Sequence, residues 1–236
     1  MKVFENPDAT FELQANRLFA FYDFVGEIRD KLDYVAPDTR HVNLNNIMMA
    51  ANASVATLRL MHWVNLNGEA IFIEALKISK PEYINLVVED MLRSSRLFLL
   101  VESQFQIEAL LKNILHGMKI PVKKDGFYNV AELILKETCI NNGEKKLKIL
   151  NIAALMRNSM HANGIHYGYK KTDTIELIDE IEFEFINEKR VQCGSWFHIV
   201  TALTASMKIV EEILVSPKVS SMKLVPDMYA KELANM

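Results

Sequence analysis

Apolar residues recur at three- and four-residue steps through most of this chain, and few glycines or prolines interrupt them. That combination favours helices and leaves little room for the many tight turns of an all-β fold. Only 8 glycines and 6 prolines occur in 236 residues, about half the usual share. The same scarcity excludes collagen-like and low-complexity sequence. Hydrophobic residues make up 50% of the chain and charged residues 24%, so a sizeable core can be buried.

Phe11, Leu18, Phe21, Val25, Ile28 and Leu32 predict a first helix over about 10–34, capped by Asp8 or Thr10 and ended by Pro37. Leu44, Ile47, Met48, Ala51, Val55, Leu58 and His62 predict a second over about 43–65, and a short helix is expected at 70–78. Pro81 suits a first helical turn, because its missing N–H has no partner there anyway, and it opens the longest expected helix, about 82–116. Further helices are expected at about 129–138 and 144–162, the latter stopped by Asn163-Gly164, a natural left-handed helix end. The character changes at 174–186, where β-branched and aromatic residues alternate with charged ones. A hairpin pairs 174–178 with either 181–186 or 190–193. Helical spacing returns at 196–214, and a weak helix is expected at 226–234. A boundary near Pro81 leaves two arrangements open: the preceding helices form a separate layer, or they join one bundle with the rest.

Several function classes lose support. The longest apolar run, 97–101, is far too short to span a membrane, and the first residues hold no apolar signal core. Two cysteines, Cys139 and Cys193, cannot build a disulfide framework or a four-cysteine zinc site, so a cytoplasmic, reducing setting is expected. The net charge of -3 lacks the basic excess of proteins that hold long nucleic acid by charge alone, so any RNA or DNA role needs a local site. Phosphate-cradling glycine loops, the H-E-x-x-H zincin motif and the G-x-S-x-G elbow are all missing. His161 and His166 are the one close histidine pair, and two ligands do not make a zinc site. No metal and no cofactor is expected.

Two polar clusters lie on apolar stripes. At 100° per residue, Leu147, Leu150, Ala154, Arg157 and His161 share one stripe, so Arg157 and His161 extend an apolar seam towards the core or another subunit. On the long helix, Glu108 falls within the stripe of Leu97, Val101, Leu111 and Leu115, with Gln104 beside it, while Glu102, Gln106, Ala109 and Asn113 form the expected solvated face. Glu108 is therefore a carboxylate aimed inward, which a neighbouring Arg157 would stabilise. On spacing alone, such a pair is more often a fold-fixing contact than a ligand site.

The segment Leu155-Met156-Arg157-Asn158-Ser159-Met160-His161-Ala162-Asn163-Gly164-Ile165-His166-Tyr167 resembles the signature region of the HEPN superfamily (higher eukaryotes and prokaryotes nucleotide-binding). These are helical bundles in which an Arg, a polar residue that is often Asn, and a following His lie near a helix end. Phe105-Gln106-Ile107-Glu108-Ala109-Leu110-Leu111-Lys112 resembles the preceding HEPN helix, where an inward Glu is common. The resemblance spans roughly 81–215. The gap from Arg157 to His161 is shorter than in the usual nuclease motif, and the gap to His166 is longer.

The resemblance implies an all-α fold: a HEPN-like bundle at 81–215 with a small inserted β-hairpin at about 174–193, extra N-terminal helices at 1–80 packed on it, and a tail at 216–236. It also implies action on RNA as a metal-independent endoribonuclease of a prokaryotic stress or defence system, working as a homodimer, with an antitoxin or other protein as a further partner. Arg157, His161 and Asn158 are then the catalytic candidates, Glu108 and His166 support them, and Tyr167, Tyr169, Lys170 and Lys171 are candidate RNA contacts. A histidine can move a proton to or from the ribose 2′-hydroxyl or the leaving 5′-oxygen, and an arginine brings fixed positive charge to the crowded phosphate. Two other readings remain: a non-catalytic helical module that dimerises through the same seam, and a nucleotide-binding bundle.

Overall fold

The structure is a computed structural model that describes residues 7–67, 70, 73–74, 77–78, 80–123, 126–168 and 172–228. Among these residues the chain forms seven helices and one two-stranded antiparallel hairpin. Of the expected helix at 70–78, residues 70, 73 and 74 are helical, 77–78 are not, and the rest lie outside the described residues, as does most of the one expected at 226–234; 224–227 are not helical.

Helix α1 (Pro7–Leu32) buries Ala15, Leu18, Phe21, Val25 and Ile28, one stripe at helical spacing. It begins at Pro7, ahead of the expected caps, so Asp8 and Thr10 lie inside its first turn. Helix α2 (Thr39–Asn67) answers with Leu44, Ile47, Met48, Ala51, Val55 and Leu58, and packs on α1 and on the long α3 (Pro81–Gly117). Part of the face expected to be solvated on α3 is buried instead. Gln106 Oε1 accepts from Asn43 Nδ2 at 2.7 Å and Asn46 Nδ2 at 3.2 Å, and its amide donates to Glu102 at 2.7 Å. Asn113 accepts the Met228 N–H at 3.1 Å. Polar side chains on that face pair with asparagines of α2 and with a backbone N–H of the tail, which hydrophobic spacing alone does not reveal.

Helices α4 (Phe127–Glu137) and α5 (Gly143–His161) pack on one another and on α3. The hairpin pairs β1 (Thr174–Ile178) with β2 (Ile181–Phe185), the first of the two pairings open from the sequence. Asp179 and Glu180 both take positive φ, 48° and 66°, as a two-residue hairpin turn requires. Phe183, Phe185 and Ile178 turn inward, while Glu182, Glu184 and Leu177 face out. Arg190, on the other candidate strand, makes a single antiparallel pairing with Ile165. Helix α6 (Trp196–Val215) is apolar nearly all round and lies against α1, α3, α5 and β1, as a central helix must. Ser195 caps it: its Oγ accepts the His198 N–H at 3.4 Å and lies 2.7 Å from His198 Nδ1. The short α7 (Pro217–Ser220) follows directly.

The main hydrophobic core runs from Ala15 to Val225 and takes residues from all three stretches distinguished in the sequence, and a small second cluster joins Val64 to Ile84. The tail joins it through an ionic corner at the α1–α2 junction. Arg40 and Asp38 have side chains 0% and 4% exposed. Arg40 Nε donates to Asp38 Oδ1 at 2.9 Å and Nη2 donates to Oδ2 at 2.6 Å. The same guanidinium donates to the carbonyls of Val219 and Met222, each at 2.9 Å, and lies 3.5 Å from the centre of the Tyr34 ring. Asp38 Oδ2 also accepts the Val225 N–H at 3.2 Å. No helix among the described residues is long and apolar enough to cross a membrane.

Candidate functional site

Helix α5 places the candidate residues. Its buried side is Leu147, Leu150, Ile152, Ala153, Ala154, Met156 and Ser159. Arg157 and His161 therefore do not continue the core, one of the two destinations that the stripe drawn from the sequence left open. Arg157 lies at the edge with its side chain 24% exposed, and His161 is exposed in the last turn. The last turns of the helix bury Met156 and Ser159 instead, so the residues in phase with Leu150 and Ala154 fall at the edge of the packed side. Asn163 (φ 56°) and Gly164 (φ 82°) stop it. The Gly164 N–H returns to the Ser159 carbonyl at 2.8 Å and the Ala162 N–H to that of Asn158 at 3.2 Å, which satisfies carbonyls the helix would leave open.

The inward carboxylate and the arginine do meet. Glu108 Oε2 lies 3.8 Å from Arg157 Nη1, and Glu108 Oε1 lies 2.9 Å from Lys112 Nζ one turn along α3. Both Glu108 and Lys112 are mostly buried, at 19% and 18% exposure. Arg157 also donates to Asn158 Oδ1 from Nε at 3.3 Å and Nη2 at 3.2 Å. Two cations, Arg157 and Lys112, thus contact one carboxylate. At 3.8 Å the Arg157 contact is a charge contact longer than a hydrogen bond, so the guanidinium is steered without being saturated. Lys112 is the member of this cluster that sequence reasoning passed over, although its (i, i+4) spacing from Glu108 marks it.

The other candidates separate. His166 is 3% exposed, its ring centroid 5.5 Å from that of Phe185, and its backbone pairs with Glu188 and Lys189. Burial lowers its pKa, against a partial rise from the Thr172 carbonyl and Asp173. It stands as a buried member of the hairpin layer, apart from the contacts of Arg157. Tyr167 is exposed. Tyr169, Lys170 and Lys171 lie outside the described residues. No group of three or more His, Cys, Asp or Glu among the described residues is arranged to hold a metal ion.

On the adjoining side of α5 a cleft of about 410 Å3 opens against α3. Arg93, Arg96 and Arg190 line it, and no aspartate or glutamate does. Nothing in the spacing of these arginines brought them together, because Arg190 arrives from the loop beyond the hairpin. No protein-family model, curated protein or solved structure matches this chain.

Proposed function

We propose that this chain is a HEPN-like protein acting on RNA as a metal-independent endoribonuclease, with Arg157 and His161 as its reacting groups. The observation that carries the proposal is the placement of a guanidinium, steered by Glu108, one helical turn from an exposed imidazole at an open helix end. The histidine takes the proton from a ribose 2′-hydroxyl as its oxygen attacks the adjacent phosphorus. The bond from phosphorus to the leaving 5′-oxygen breaks, that oxygen takes up a proton from water, and the histidine returns its own proton to solvent. The products are a 2′,3′-cyclic phosphate and a 5′-hydroxyl. Arg157 stabilises the charge on the crowded phosphate, and Asn158 orients one of its oxygens. A homodimer bringing two such helix ends together completes the arrangement.

The test is cleavage of a single-stranded RNA in EDTA. Wild type is expected to cut it and to leave the 2′-deoxy analogue intact. Arg157→Ala and His161→Ala are each expected to abolish cutting while keeping the wild-type circular dichroism spectrum. Cleavage at the wild-type rate by both variants would overturn the proposal.

A second reading, a non-catalytic interaction module, draws support from one surface. Met91, Phe98 and Phe105 follow one another at seven-residue steps along α3 and are 37%, 48% and 61% exposed. A stable dimer that loses its association on Phe98→Ser, with no RNA turnover, would favour it.

A further inference from the structure

The arginine cleft is built from distant parts of the chain. Arg93 and Arg96 lie one turn apart on α3, while Arg190 comes from the strand-like pairing with Ile165. The Arg190 side chain runs over Gly164, where an added Cβ would meet its Nε at 3.8 Å and its Cγ at 3.9 Å. Arg93 pairs with the exposed Asp90 at 2.9 Å. Arg96 is partly buried, and no carboxylate among the described residues pairs with it. It also borders a second cavity, of about 230 Å3, beside Ser195 and Trp196 at the start of α6. Burial, and then the neighbouring Arg93, push its guanidinium below the ordinary value. A desolvated cation without a counter-charge is costly, and gathering two more cations around the same hollow adds repulsion. Both costs fall when an anion enters. Planar guanidinium forks match the oxygens of a phosphate better than any other common anion-binding side chain.

We propose that this cleft binds a nucleoside monophosphate or a ligand of that size and chemistry. Its phosphate lies among Arg93, Arg96 and Arg190, and its base lies on the apolar wall of Leu97, Met156 and Met160. A volume of about 410 Å3 falls within the range of small-molecule sites. The site is separate from the RNA-cleaving reading: neither Arg157 nor His161 lines the cleft. Each follows a cleft-lining methionine by one residue, which is about 100° around the helix.

The experiment is isothermal titration with AMP, with inorganic phosphate and with adenosine, at constant ionic strength. AMP is expected to bind saturably and more tightly than phosphate, and adenosine is expected not to bind. Arg96→Met and Arg190→Ala are each expected to weaken AMP by roughly tenfold or more, while Arg157→Ala binds AMP like wild type. Arg190 is exposed, so Arg190→Ala keeps its fold and reads the site even where Arg96→Met does not fold. The proposal is overturned if AMP gives no saturable binding at millimolar concentration, if adenosine binds as tightly as AMP, or if Arg190→Ala binds AMP like wild type.

Discussion

Changing Asp38 to asparagine removes one charge from a corner that water does not reach. The replaced carboxylate receives Arg40 Nε and Nη2 at 2.9 and 2.6 Å and two backbone N–H groups, from Arg40 at 2.9 Å and Val225 at 3.2 Å. Asparagine has one acceptor oxygen in place of two, and its amide would point a donor at a donor. The Arg40 guanidinium, 0% exposed, is then left with two carbonyls and the Tyr34 ring but no counter-charge. Breaking a buried pair from one side costs about 3–5 kcal/mol. In a chain of this size, that corresponds to a fall in Tm of roughly 6–20 °C. Arg40→Met removes the other partner and strands the Val219 and Met222 carbonyls as well, at about 1–3 kcal/mol for each buried group left unpaired. The double change should cost less than the two single changes together, because each single change leaves a charge that the double change does not. Asp90→Asn, in an exposed pair, serves as the control, with an expected cost of about 0–1 kcal/mol. The measurement is urea unfolding followed by circular dichroism at pH 7 for wild type and the four variants. An Asp38→Asn protein within about 1 kcal/mol of wild type would refute the view that this corner is closed and charge-dependent.

Two further outcomes follow from burial. His166 and His198 are both held below the ordinary imidazole value of 6.5 by desolvation. The unfolded chain therefore binds more protons than the folded one once the pH drops below 6.5. Stability is complete above that value and is lost as the pH falls through the lowered folded values. Urea midpoints at pH 5 and 7.5 should show a smaller acid loss in His166→Phe than in wild type, and equal losses would contradict the buried placement. Cys193 is buried, which pushes its thiol up to about 11, whereas Cys139 is exposed. A disulfide thiol reagent should therefore titrate one thiol per folded chain and two in urea, with Cys139→Ser silent until unfolded; rapid reaction of both thiols in the folded protein would count against it.

Helix positions were legible because the apolar residues that mark them are the ones that pack. Leu18, Phe21, Val25 and Ile28 form the buried side of α1, and Leu44, Ile47, Ala51 and Val55 that of α2. The hairpin was legible because Phe183 and Phe185 alternate with Glu182 and Glu184. The meeting of Glu108 with Arg157 was also within reach, since a carboxylate inside an apolar stripe needs a cation. Other features were not. Gln106 and Asn113 look like surface residues until α2 and the tail arrive to pair with them. Asp38 and Arg40 stand two apart in a polar stretch, and nothing local says that their acceptors and donors lie at Val219, Met222 and Val225. The arginine cleft depends on where the return from the hairpin lays Arg190, a tertiary fact with no local spacing to announce it.

The corner around Arg40 also sets an order of events at the ribosome. Arg40 is synthesised 179 residues ahead of the Val219 carbonyl that it binds. At ordinary elongation speeds the nascent α1 and α2 must wait on the order of ten to forty seconds for that acceptor to emerge. Throughout that interval the first two helices carry an unfinished, charged seam, and a chaperone or a premature partner has its opening there.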